Sequence, residues 1–129
     1  MTDVPVEQLM STDLVTIAPG AAAADAAKRM LETGVSSIVV VDDDGHLSGL
    51  ITATDFVSLV RRNEPEDVTP VEAFMTTDVV TVSPDDSVEE LAEPTDRGYT
   101  HLPVVTADGE LVGMLSTTDL TAYLSKHRS

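Results

Sequence analysis

The sequence predicts an α+β protein built from two β-α-β-β-α repeats, and two observations carry that prediction. The first is an internal duplication. Pro5-Val6-Glu7-x-x-Met10-x-Thr12-Asp13-x-Val15-Thr16-x-x-Pro19 recurs 65 residues later as Pro70-Val71-Glu72-x-x-Met75-x-Thr77-Asp78-x-Val80-Thr81-x-x-Pro84. From Gly34 onward the spacing is 64: Gly34, Val40, Val41, Asp44, Gly45, Leu47, Gly49, Thr54 and Asp55 return as Gly98, Val104, Val105, Asp108, Gly109, Leu111, Gly113, Thr118 and Asp119. The second observation is glycine placement, since six of the seven glycines fall into three of these pairs. Glycine sits where backbone geometry demands it, so the two halves are expected to share a conformation as well as a pattern.

Each repeat opens on a short strand, Leu14 to Ile17 or Val79 to Val82, stopped by Ala18-Pro19 or Ser83-Pro84. A helix follows, with Ala22, Ala23, Ala26, Met30 and Leu31 on one face in the first copy and Val88, Leu91, Ala92 and Thr95 in the second. Ile38 to Val41 and Leu102 to Val105 are short β-branched runs, and Asp43-Asp44-Gly45 and Ala107-Asp108-Gly109 are hairpin turn chemistry. The strands return as Leu47 to Ile51 and Leu111 to Leu115. Thr54-Asp55 and Thr118-Asp119 then open a last helix, with Phe56, Leu59 and Val60, or Leu120, Tyr123 and Leu124, turned inward. The expected division is repeat 1 over 1–62, a polar linker over 63–69 containing Pro65, and repeat 2 over 70–129. A unit of about 60 residues is marginal alone. Two units gain most by packing their sheets' apolar faces together about a pseudo-twofold axis, which leaves a cleft suited to a small ligand.

Composition narrows the partners. The 129 residues carry 23 Asp plus Glu against 7 Lys plus Arg, a formal net charge of −16. Such a surface repels the phosphates of nucleic acids and anionic membranes alike. The only lysines are Lys28 and Lys126. An acid-rich, lysine-poor surface holds water and salt ions well, and screening at high ionic strength removes its self-repulsion, so a halophile is the expected source. With no cysteine there is neither a disulfide nor a thiolate site. No apolar run approaches a membrane span and Met1-Thr2-Asp3 begins no signal peptide, so the expected location is the cytoplasm.

Both copies carry a threonine before x-x-Pro at the first strand, a glycine followed by an apolar-Val-Val run, an Asp-Gly turn, and a closing segment. That segment is Gly49-Leu50-Ile51-Thr52-Ala53-Thr54-Asp55 in one copy and Gly113-Met114-Leu115-Ser116-Thr117-Thr118-Asp119 in the other. This pattern resembles the paired CBS (cystathionine β-synthase) domains, or Bateman module, over about residues 4 to 127. The resemblance implies binding rather than catalysis: a stand-alone regulatory pair that holds AMP, ADP, ATP, S-adenosylmethionine or NAD in interdomain clefts and signals through repeat packing or oligomer contacts. It also implies a homodimer and an effector protein as partner. The alternative is a ligand-free scaffold or oligomerisation module.

The residue chemistry fits such a ligand. A carboxylate accepts two hydrogen bonds from the vicinal hydroxyls of a ribose, which makes Asp55 and Asp119 the expected ribose binders. By resemblance, one site combines Thr16, Val35, Ser36 and Ser37 with Met114, Ser116, Thr118 and Asp119. The other combines Thr81, Tyr99, Thr100 and His101 with Leu50, Thr52, Thr54 and Asp55. The same Thr-Asp pairs are also ordinary helix-start residues, a role compatible with ligand binding. Asp42-Asp43-Asp44-Gly45 is like the start of a calcium loop but lacks the closing glutamate, and reads as a solvated turn. His46, His101 and His127 have no metal-ligand spacing, and no nucleophile or phosphate-loop motif is present, so neither a metal nor an enzymatic activity is expected. The second repeat departs from the first in lacking one residue between Pro84 and Gly98 and in carrying Pro94, which should end or bend its helix near Glu93. Arg61, Arg62 and Arg97 are the nearest bases for a phosphate.

Overall fold

A computed structural model of the chain describes residues 4–88, 101–116 and 119. In chain order the elements are a 3-10 turn at Val6–Gln8, β1 (Thr16–Ile17), α1 (Ala23–Thr33), β2 (Ser37–Val41), β3 (Leu47–Thr52), α2 (Ala53–Arg61), a second 3-10 turn at Val71–Ala73, β4 (His101–Val105) and β5 (Leu111–Ser116). The architecture is α+β, as the patterning predicts. The chain divides into two compact units, a contiguous one of Val15–Val79 and a split one of Met1–Leu14 with Val80–Ser129.

In the contiguous unit β1 runs parallel to β2 and β2 antiparallel to β3, with Thr16 opposite Val39 and Ser37 opposite Thr52. The β2–β3 turn places Gly45 at φ 83°, the left-handed conformation that the Asp-Gly sequence predicts. Ile17, Ala23, Ala26, Ile38, Val40, Ile51 and Leu59 form the core together with Val71 and Phe74. Phe74 meets Phe56 edge to face, with ring centroids 5.5 Å apart.

Ala22, the N-cap of α1, has no side chain able to cap the helix. Its first amides are satisfied from the 63–69 stretch instead: Ala23 N–H donates to Thr69 O (2.8 Å) and Ala24 N–H to Glu66 O (2.9 Å). Gly34, at φ 73°, ends α1 by donating to Met30 O. Helix α2 stops through Asn63, the one described non-glycine residue at positive φ (57°), whose N–H reaches Val60 O.

Two of the predicted inward residues face out. Leu31 is 85% exposed and Val60 76% exposed. Each stands about 100° round its helix from a neighbour that does pack inward, Met30 or Leu59, and so falls beyond the apolar stripe.

The split unit has β4 antiparallel to β5 in the register of β2 and β3, with His101 opposite Ser116 and Val104 opposite Gly113. Val6, Val82, Leu102, Val104 and Leu115 are its core. The strand expected over Val79 to Val82 does not form; Val82 makes a single parallel bridge to Val104. The cause is Pro103. It stands where the first copy has Val39, whose N–H donates to Val15 O (3.2 Å), and proline has no N–H to give the corresponding bond. Leu91, Ala92, Pro94, Thr95, Leu120, Tyr123 and Leu124, with the bend expected near Glu93, lie outside the described residues.

The spatial units are offset from the sequence repeats because the segment that leads into each repeat docks on the hairpin of the other. Val71 N–H donates to Ala21 O (2.8 Å) and Glu72 N–H to Pro19 O (3.1 Å). One repeat length earlier, Val6 N–H donates to Asp86 O (2.8 Å) and Glu7 N–H to Pro84 O (3.0 Å). Thr76 then exchanges backbone bonds with Leu50 (2.8 and 2.9 Å), as Ser11 does with Met114 (2.8 and 3.0 Å). Between these anchor points Met75 covers Gly49 and Met10 covers Gly113, leaving no room for a Cβ at either glycine.

Candidate functional site

The end of β3 runs directly into α2, and Thr52 at that junction forms a capping box with Asp55. Asp55 Oδ2 accepts from Thr52 N–H (2.9 Å) and, more weakly, from its hydroxyl (3.3 Å). The end of β5 repeats the arrangement. Asp119 Oδ2 accepts from Ser116 N–H (3.0 Å) and Ser116 Oγ (3.1 Å), while Asp119 N–H donates to Ser116 Oγ (3.2 Å). Both carboxylates are half-buried, so a spacing of three residues between hydroxyl and carboxylate fixes two anions at equivalent turns without immersing either.

A residue that the motif does not contain completes the first of these turns. Thr76, from the segment leading into the second repeat, donates its hydroxyl across both oxygens of Asp55, at 2.9 Å to Oδ1 and 3.2 Å to Oδ2. The signal for it is the hydroxyl residue after the duplicated methionine, Met10-Ser11 and Met75-Thr76.

The remaining predicted residues fall as follows. In the contiguous unit Ser37 and Thr52 are register partners, Leu50 is buried, Val35 is half-buried, and Ser36 and Thr54 are exposed. Thr16, on β1, accepts a hydrogen bond at its carbonyl from the Arg29 guanidinium. In the split unit His101 and Ser116 are register partners, Met114 is half-buried and Thr81 exposed. Tyr99, Thr100 and Thr118 lie outside the described residues, as does Arg97. Arg62 approaches Glu64 at 3.9 Å on the surface, which weakens its availability to an anion.

Two further features stand apart from these residues. A groove of about 310 Å³ beside β1 is lined by Ile17, Ala18, Ala21, Asp25, Lys28, Arg29 and Glu32, none of them a predicted binding residue. The β2–β3 turn brings ligand atoms of Asp42, Asp44 and His46 within 4.8 Å of one another, a proximity that the sequence spacing of the histidines does not suggest. There Asp42 Oδ1 accepts from the N–H groups of Asp44 (2.9 Å) and His46 (3.0 Å), the bonding of an Asx turn.

Residues 6–62 and 71–126 each match the CBS domain. The chain is a tandem CBS domain pair. An uncharacterised 17.7 kDa protein of Acidianus ambivalens is 33% identical to this CBS pair over 120 residues, covering 92% of this chain and 72% of that one. L-Aspartate semialdehyde sulfurtransferase of Methanosarcina acetivorans is 30% identical over 122 residues, or 94% of this chain and 24% of that protein. The CBS pair thus spans only about a quarter of that enzyme, and likewise of the homoserine O-acetyltransferases it matches. Among solved structures, a protein with CBS domains from Burkholderia ambifaria superposes with a TM-score of 0.83 at 29% identity, over 98% of this chain and 97% of that one. The CBS pair of protein MJ0100, solved with 5′-methylthioadenosine and S-adenosyl-L-methionine, shares the fold with a TM-score of 0.85 at 23% identity, over 98% and 100% of the two chains. Among the described residues no helix is long and apolar enough to cross a membrane.

Proposed function

We propose that this CBS pair is a regulatory module that binds an adenosyl ligand, with the ribose hydroxyls received by the carboxylate that closes each repeat. The observation that carries the proposal is the duplicated hydroxyl-x-x-Asp turn, which presets a half-buried carboxylate at the end of β3 and again at the end of β5. A preset acceptor does not have to be ordered when a diol arrives, and its charge strengthens both bonds. Family membership supports a ligand-binding role. Within the adenosyl class the net charge of −16 favours ligands of low negative charge, AMP or S-adenosylmethionine, over ATP. The sequence-related enzymes owe most of their length to regions this chain does not match, so the proposal includes no catalysis.

Thermal unfolding with and without AMP, ATP, S-adenosylmethionine and NAD tests this reading. A true ligand at a hundredfold excess over its Kd adds about 2.7 kcal/mol to stability and raises Tm in a concentration-dependent way. Asp55→Ala and Asp119→Ala, made singly, identify the carboxylate in use, and unaltered affinity in both refutes the ribose assignment. Run across a KCl series, the same experiment tests the salt-adapted surface, whose Tm should rise with salt as repulsion among the acids is screened.

A second reading has an observation of its own. Val57 and Val60, three residues apart on α2, are 66% and 76% exposed, an apolar strip suited to self-association as a homodimer. A dimer in solution whose Tm responds to none of the four ligands at millimolar concentration would leave the oligomerisation role standing in place of the sensor.

A further inference from the structure

The two closing carboxylates occupy matching positions in the backbone but differ in what already binds them. Thr76 and Ser11 are delivered to their hairpins by equivalent pairs of backbone hydrogen bonds, to Leu50 and Met114 respectively, and each follows a methionine seated over a glycine. Only the Thr76 hydroxyl reaches its carboxylate, lying across Oδ1 and Oδ2 of Asp55. Ser11 is exposed and makes no side-chain hydrogen bond among the described residues. Asp55 therefore has both oxygens engaged, Oδ2 by Thr52 and Thr76 and Oδ1 by Thr76. Asp119 has only Oδ2 engaged, by Ser116, and among the described residues its Oδ1 accepts nothing.

From this we infer that the two repeats are unequal ligand sites: Asp119 is the carboxylate open to a vicinal diol, and Thr76 is the specificity-determining residue that keeps Asp55 closed. The inference rests on the adenosyl reading above and narrows it to one ligand per chain. A diol donates two hydrogen bonds, and one carboxylate oxygen has two lone pairs with which to receive them. At Asp119, Oδ2 is filled by the N–H and hydroxyl of Ser116, while Oδ1 accepts nothing among the described residues and can take both donors of the diol. At Asp55 the same ligand must first displace Thr76, whose hydroxyl then needs another partner in a half-buried setting.

The difference between the two hydroxyl residues has a steric origin. Threonine is β-branched and confined at χ1, so a docked Thr76 holds its hydroxyl toward Asp55. Serine rotates freely, and at the exposed position of Ser11 it gains little by turning inward from water. Among the described residues, a single methyl group thus distinguishes a carboxylate with both oxygens engaged from one with Oδ1 open.

The test exchanges the two residues and counts ligand by isothermal titration calorimetry, with S-adenosylmethionine and AMP as separate probes. The wild-type chain should bind one equivalent. Thr76→Ser should raise the stoichiometry to two per chain, and Ser11→Thr should weaken the wild-type site at least about tenfold, the cost of one charge-assisted hydrogen bond displaced. Two equivalents of equal affinity in the wild type, one equivalent in Thr76→Ser, or undiminished affinity in Ser11→Thr would each overturn the inference. A ligand-free measurement separates it from the adenosyl reading. Thr76→Val should lower Tm by about 5 °C while Ser11→Ala shifts it by about 1 °C or less. If the wild type binds neither probe and that difference in Tm holds, the adenosyl reading fails while the inequality of the carboxylates stands. Equal Tm responses overturn the inequality whatever the chain binds.

Discussion

The contiguous and split units solve the same backbone problem in the same way and then diverge in their side chains. Each receives a leading segment through amides on a valine and a glutamate, a second pair of bonds beyond a methionine, and a glycine that lets the methionine approach. Yet Phe74 in one leader is Leu9 in the other, Thr76 is Ser11, and Val39 in one sheet is Pro103 in the other. Duplication has kept the bonds that fix register, where any loss leaves a buried amide unpaired, and relaxed the positions where a smaller or more mobile side chain is merely less stabilising. The contiguous unit therefore has a three-stranded sheet, where the described residues of the split unit form a two-stranded one.

The sharpest way to break this comparison is at the leader's apolar anchor. Phe74 is 4% exposed and packed edge to face against Phe56, whereas Leu9 is only partly buried against its core. Phe74→Ala should cost about 3–5 kcal/mol in urea unfolding and Leu9→Ala about 2 kcal/mol, at unchanged m-value. Equal losses would mean that the two leaders are equally well packed.

A smaller contrast lies at the glycines. A Cβ on Gly49 would stand 2.8 Å from the carbonyl oxygen of Thr76 as well as 2.7 Å from Met75 Sδ, so backbone must move. On Gly113 the three nearest atoms all belong to the Met10 side chain, which can re-orient. Gly49→Ala should cost about 3 kcal/mol and Gly113→Ala about 1 kcal/mol by the same measurement. The smallest expected effect sharpens the likeness instead: Thr52→Ala and Ser116→Ala each remove a cap and should cost about 1 kcal/mol, equal to within about half that value.

How far the sequence discloses all this depends on the scale of the feature. The hairpins were legible because Asp-Gly turns and β-branched runs are local, and β2–β3 and β4–β5 lie within a residue of where patterning puts them. The closing hydroxyl-x-x-Asp turns were legible for the same reason. A repeat in sequence does not say which copy of a segment packs on which hairpin, so the exchange of leaders, and with it the contact between Thr76 and Asp55, was hidden. The missing first strand of the split unit was in principle readable from Pro103, but only once Val39 was known to donate from that position. Leu31 and Val60 were misplaced because a helix face drawn from apolar residues alone runs wider than the stripe the sheet covers.

The exchanged leaders also set an order on synthesis. The contiguous unit is complete once Val79 has left the ribosome, since every group that Val71, Glu72 and Thr76 bind has already been made. The segment over 4–14 is made before any of its partners, because the carbonyls of Pro84 and Asp86 and the backbone of Met114 follow only after the contiguous unit is complete. Throughout that interval Val6 and Met10 have no core to enter. A nascent chain in this state offers its leader to any finished hairpin of the same kind, which makes the segment over 4–14, among the described ones, the most open to exchange between copies.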